Sequence, residues 1–264
     1  MPSRRRQLAA LAGCLIVLAA GSATATCTPL DQTHAAWTAL LARRVEGGRV
    51  DYDAIQRREQ ETLAEYLERL SAVCPSDYER WTPAERIAFW INVYNAFTIR
   101  QVLDHYPVRS IRSIGWLPGA AFRHRFIPMP ALKGGLVSLD DVEHRTLRSD
   151  FREPRIHFAL VCAARSCPPL RSEAYRGQDL ERQLDDQGRT FLRDPTKNRY
   201  DTASETLHLS AIFRWFRKDF ESEAGSLASF VAPYMGVPAV SAPGLRIEFL
   251  DYDWRLNDQR RGNP

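Results

Sequence analysis

Four side chains able to do chemistry stand within eleven residues of this chain: His157, Cys162, Ser166 and Cys167, in the segment RIHFALVCAARSCPPL at 155–170. A thiol beside an imidazole can act as a nucleophile, because a neighbouring base or imidazolium raises the thiolate fraction. Two thiols separated by four residues can instead close a small disulfide loop, its exit stiffened by Pro168 and Pro169. With His157 they would also supply three zinc ligands, one short of a closed structural site. Composition predicts a short strand over 156–161. Side chains alternate along a strand, so a strand continuing to 162 would turn His157 and Cys162 to opposite faces. His144 and His124 then become the candidate imidazoles.

Two further polar groups need a reason. Asn92 and Asn95, three residues apart, share one face of an otherwise apolar helix. A buried amide left unpaired costs about 1–3 kcal/mol. The pair therefore either ties a loop to the helix or binds a substrate carbonyl. Glu143 and His144 share a helical face with Asp140 and Leu147 and could provide acid–base chemistry, although a plain solvated surface suits them equally. No phosphate-cradling Gly-rich loop, HExxH helix or G-x-S-x-G elbow occurs. Nucleotide, zinc-protease and serine-hydrolase readings lack support, and no cofactor or metal is expected.

The elements that must position these groups are mostly helices. Periodicity predicts helices over 30–45 and 56–72. Thr82-Pro83-Ala84-Glu85 reads as a capping box with a first-turn proline. The helix it opens, 86–105, is apolar around most of its circumference and so is expected to be buried. Residues 122–128 read as an edge strand closed by Pro128 and Pro130. Ser138 caps a helix over 139–148, with Asp140 and Asp141 favourably placed in its first turn. Helices are further expected at 178–192, 211–220 and 226–235, a hairpin at 200–209 and a last strand at 245–251. The expected fold is a mainly helical α+β single domain with a central buried helix and a small, largely antiparallel sheet.

The first residues set the expected compartment. Arg4, Arg5 and Arg6 precede an uncharged apolar stretch at 8–20, and Ala23-Thr24-Ala25 offers small residues to a signal peptidase. That stretch is short of the roughly 20 residues needed to span a bilayer. An exported protein, periplasmic or secreted, cut near Ala25, is the reading. A lipoprotein anchored at Cys14 is the minor alternative, weakened because the apolar core continues past Cys14. Removing the three arginines leaves 33 basic against 32 acidic residues. Net charge thus does not suggest nucleic acid, and the basic clusters 109–112 and 123–125 read as solvated surface. The mature chain, about 240 residues, suits one large domain. It keeps four cysteines, Cys27, Cys74, Cys162 and Cys167. An even number in an oxidising compartment favours disulfides, here Cys27–Cys74 with Cys162–Cys167.

With these segments in place, the chain resembles the exported bacterial branch of the domain-of-unknown-function family numbered 547. The resemblance rests on AFWINVYNAFTI (88–99), SLDDVEHRTLR (138–148), the 155–170 segment, LSAIFRWFRKDF (209–220) and FLDYDWRLN (249–257). It covers a main domain at 80–257; before it stand the leader at 1–25 and a helical region at 26–79 packed on that domain, and after it a polar tail at 258–264. The positions shared with the family pattern are Asn92, Asn95, Glu143, His157, Cys162 and Cys167. No settled activity comes with the resemblance, and a pattern preserves a fold as readily as a site.

Two functions fit these residues. One is a non-catalytic or ligand-binding module: Cys162–Cys167 braces a loop, the asparagines satisfy a buried network, and Trp90, Trp116, Trp215 and Trp254 serve the core or a ligand face for an unidentified peptide or small molecule. The other is a thiol-dependent hydrolase or transferase using Cys162 with His157 or His144, Glu143 orienting the imidazole. Asn92, Asn95 or Ser166 would then serve as binding groups.

Overall fold

Glu85 is the residue that starts the central helix. Its backbone N–H donates to Thr82 Oγ1 (3.2 Å), and its carboxylate accepts from the Thr82 amide (2.7 Å), as the capping box requires. The helix runs Pro83–Leu103 and is buried along nearly its whole length. The computed structural model describes residues 29–117, 119–236 and 245–260. The expected leader, Cys14 and Cys27 lie outside the described residues, and so does any bridge from Cys27 to Cys74.

Helices Tyr52–Arg58 and Gln60–Ser71 pack on the central helix, and Ala35–Arg44 packs on both of them. The single helix expected over 56–72 is thus two, parted at Glu59, whose carboxylate turns back onto Arg43 and Arg44. The strands are few and short. Val45–Glu46 pairs with Arg49–Val50, and Ile127–Met129 with Gly135–Val137, both antiparallel. The edge strand expected from 122 begins only at Ile127, because Ala120–Arg123 is a helical turn. Arg199–Asp201 and Thr206–Leu209 form the expected hairpin. Arg246–Phe249 adds to it in parallel, so this sheet is mixed. Among the described residues no helix is long and apolar enough to cross a membrane. The mainly helical α+β class stands.

The core has two parts. The larger surrounds the central helix; the smaller, rich in phenylalanine, joins Phe158, Phe191, Phe213, Phe220 and Phe230. They meet at the residues expected to be a strand. Ile156–Ala159 is instead one turn of α-helix. A helical turn sends Ile156 and Ala159 into the larger cluster and Phe158 into the smaller, while His157 faces the seam between them. The expected polar tail is packed at its start. Asp258 is buried and accepts a hydrogen bond from Tyr106 Oη at 2.8 Å.

Candidate functional site

Ser138 caps the second helix of interest through Asp141 N–H (3.0 Å), and Asp141 returns the bond to the Ser138 amide (3.0 Å). The helix starts as Leu139–Val142, widens into a π-turn over Glu143–Leu147 and ends as Arg148–Asp150. Such π-turns inside α-helices are frequent at functional sites, because the extra residue re-aims side chains. Here Asp140 and Glu143 face a cleft of about 170 Å³ at the seam between the core clusters. Its walls are largely aromatic: Tyr94 from the central helix, Trp215 and Phe216, then Tyr252 and Trp254. His157 and Cys162 both line it. The opposite facing expected from strand alternation therefore fails, because His157 sits on a helical turn and Cys162 on the irregular chain beyond it.

His157 is buried and tightly held. Its Nε2 lies 2.8 Å from Asp219 Oδ2, and its ring stacks on Phe216 with centroids 3.8 Å apart. Asp219 is itself gripped by Arg148, whose Nε and Nη2 donate to the two carboxylate oxygens at 2.6 and 2.8 Å. Burial opposes charge on Asp219, but the bonds from Arg148 and His157 win and hold its pKa well below the usual carboxylate range. An ionised Asp219 fixes the proton on Nε2 and leaves Nδ1 facing Glu143 Oε1, 3.7 Å away. Burial also pushes His157 below the ordinary histidine pKa, so the neutral ring dominates at pH 7.

Glu143 is the unusual group. Burial pushes its carboxyl up to about 7; nearby Arg148 and the Tyr94 hydroxyl counter this only in part. Among the described residues its only neighbour at ion-pair distance is His157. A carboxyl that titrates near neutrality can donate a hydrogen bond or give and take a proton under ordinary conditions.

The other predicted residues fall elsewhere. His144 is exposed and does not line the cleft, with Arg148 Nη1 3.1 Å from its Nδ1 and Asp140 3.9 Å from its Nε2. His124 stacks on Phe126 and does not line the cleft. The asparagines are occupied at both ends. Asn92 bonds the carbonyl and amide of Tyr175 (2.8 and 3.0 Å), and Asn95 bonds the carbonyl of Ala159 and the amide of Val161 (2.9 Å each). Both tie loops to the central helix, which leaves no polar end aimed at a ligand. Ser166 Oγ accepts from the Asp253 amide (2.8 Å) and lines a separate polar hollow with Lys197 and Arg165.

Cys162 and Cys167 are joined as a disulfide. In this form Cys162 has no thiolate to offer, so a resting nucleophile is not what the site presents. No group of three or more His, Cys, Asp or Glu side chains among the described residues is placed to hold a metal. Asp219 escaped sequence reasoning because its partners lie 62 and 71 positions away. Its only signal was its place in the segment 209–220.

Fold and site together define a mainly helical α+β domain with a carboxyl–imidazole pair at an aromatic cleft, walled on one side by a cystine. Residues 78–192 match the family described as "Protein of unknown function, DUF547", and over that stretch the resemblance read from the motifs holds. It takes in Asn92, Asn95, Glu143, His157 and both bridged cysteines, and it ends before Trp215, Asp219 and Tyr252. No curated protein and no solved structure matches the chain.

Proposed function

We propose that the protein is an exported binding module that takes a small ligand in the aromatic cleft, anchored by a hydrogen bond from the neutral Glu143 carboxyl. The observation that carries this reading is Glu143 itself. It is a largely buried carboxyl, raised by burial to about 7 and so neutral in about half of the molecules at pH 7, at the floor of a cleft whose walls suit a planar or apolar body. The cavity is small for a binding site, so the occupant is a small molecule or one side group of a larger one. The cystine braces the wall at Cys162, and the Asp219–His157 pair keeps the floor in place. Export is supported by the basic and then apolar residues at 4–20, followed by small residues at 23–25.

Benzamide, a flat ring with one acceptor carbonyl, serves as a probe. The expected result is a saturable change in tryptophan fluorescence from Trp215 and Trp254. Affinity should fall about tenfold between pH 6 and pH 8 as Glu143 loses its proton. Glu143→Leu should abolish the pH dependence. Equal affinity at both pH values in the native protein would overturn the Glu143 anchor. For export, sequencing of the N-terminus of the chain recovered outside the cytoplasm should start near Cys27; a chain retaining residues 1–25 in the cytoplasm sinks that part.

A further inference from the structure

The two sulfurs of the cystine live in different surroundings. Cys162 is partly exposed and lines the cleft, whereas Cys167 is buried. Hydrogen-bond donors converge on the buried one. The amides of Cys162 and Ala164 donate to Cys167 Sγ at 3.1 and 3.3 Å. The Tyr252 hydroxyl lies 3.3 Å from Cys167 Sγ and 3.2 Å from Cys162 Sγ, so its single proton can serve whichever sulfur carries charge. Burial keeps that phenol protonated.

The turn that aims both amides at one sulfur is itself strained. Ala163 has φ of 59°, a left-handed conformation that costs an L-residue about 1 kcal/mol. It is also held from outside: Ala163 O accepts from the Asn257 amide (2.9 Å), the Arg165 amide donates to Arg255 O (2.8 Å), and Val161 N–H is bound by Asn95. None of these anchors uses the disulfide. The donors around Cys167 therefore stay in place when the S–S bond opens.

A divalent sulfur in a bridge gains little from three donors, whereas a thiolate gains a great deal, because hydrogen bonds to the charged form favour it. We propose that Cys162–Cys167 is a redox-active pair that exchanges with a small thiol entering the cleft, Cys162 being the attacked sulfur and Cys167 the stabilised leaving thiolate. In the first step the incoming thiolate forms a bond to Cys162 Sγ. The Cys162–Cys167 bond breaks, and its electron pair goes to Cys167 Sγ. In the second step another thiolate attacks the sulfur of the bound thiol, forms the small-molecule disulfide and releases Cys162 as a thiolate that water protonates. Two thiols are oxidised and one cystine is reduced to the Cys162 and Cys167 thiols. Exchange is faster when the leaving thiol has the lower pKa, which is the property the donors confer. The proposal shares the cleft with the ligand reading but needs neither Glu143 nor benzamide binding, so each can fail alone.

The test uses reduced glutathione as the small thiol. Native protein is incubated with it, quenched in acid and mapped by mass spectrometry. The expected adduct is on Cys162, formed in folded protein. An adduct on Cys167, or a bridge that resists glutathione until the protein unfolds, overturns the proposal. A second measurement follows thiolate absorbance in Cys162→Ser, with Cys162→Ser/Cys167→Ser as the baseline. Cys167 should titrate at least one unit below the ordinary thiol value of about 8.5, and adding Tyr252→Phe should raise the midpoint by about one unit. A midpoint at or above the ordinary value overturns the leaving-group assignment.

Discussion

Glu59 and Glu143 are both largely buried glutamates, and they are set to opposite tasks. Glu59, in the N-terminal helical layer, accepts from Arg43 Nε and Nη2 (3.1 and 2.9 Å) and from Arg44 Nε and Nη2 (3.1 and 2.7 Å). Its hydrogen bond to Arg43 leads, and with Arg44 it outweighs burial to hold the carboxyl down at about 2. Glu143, at the cleft, has a phenol and a neutral imidazole for neighbours and sits at about 7. Both side chains are largely covered, but burial leads at Glu143 whereas the hydrogen bond to Arg43 leads at Glu59, so depth of burial and partners together make the difference. A carboxyl that serves the fold is given cations. One left without them is available for something else.

The largest effect should come from breaking the structural member of the pair. Glu59→Ala leaves the guanidinium of Arg44, only 16% exposed, without its carboxylate. The expected loss is about 3 kcal/mol at pH 7, read from urea unfolding. A loss below 1 kcal/mol would show that solvent already screens the pair and would remove the contrast.

Next comes Glu143→Gln, where the sign reverses. The folded pKa of Glu143 lies above its unfolded value of 4.5, so the folded chain holds a proton that the unfolded chain gives up. Its neutral form supports the fold fully below about pH 4.5, and that support is lost as pH rises through about 7. Glu59 has the opposite sign: its contribution is complete above 4.5 and is lost as pH falls toward 2. His144, His157, Arg148, Asp140 and Asp219 surround Glu143 and titrate or carry charge near it, so the difference between native and variant curves is the quantity to read. The variant should match the native protein near pH 4.5 and exceed it by about 2 kcal/mol at pH 8. A variant less stable than the native protein at pH 8 would make Glu143 a structural residue like Glu59.

How much of this contrast could be read without coordinates depends on how local each feature is. The capping box at Thr82, the cap at Ser138, the buried central helix and the hairpin near 200–209 are set by residues close in the chain, and they are where they were expected. The turn Ile156–Ala159 was expected to be extended because three apolar residues and a histidine are too few for a period to show. What makes it helical is the pair of core clusters it must feed on either side. Glu143 was legible as a candidate, but its lack of a cation was not. That depends on the π-turn and on Asp219, which draws off Arg148 from 71 residues away. Asn92 and Asn95 were legible as needing partners, and the partners turned out to be backbone.

A smaller effect should follow from Asp219→Asn. The carboxylate is the group that favours charge on His157, against burial and the repulsion of Arg148. Without it the His157 pKa should drop further, followed by imidazole proton shifts in NMR. An unchanged histidine pKa would mean that Asp219 serves Arg148 alone and that the imidazole is not positioned for the cleft.

The finest test separates the two causes acting on Glu143. Burial raises its pKa, and the Tyr94 hydroxyl, by donating to the carboxylate, lowers it. Tyr94→Phe keeps the ring in the wall and removes the donor. Losing one such bond is worth about 1 kcal/mol, so the Glu143 pKa should move up by roughly 0.7 unit, read from its side-chain carboxyl carbon. The benzamide affinity should then persist to correspondingly higher pH. If the pKa falls instead, Tyr94 was holding the acid neutral rather than the anion charged. Glu143 would then act as an acceptor in the resting site, and the ligand it awaits would have to be a donor.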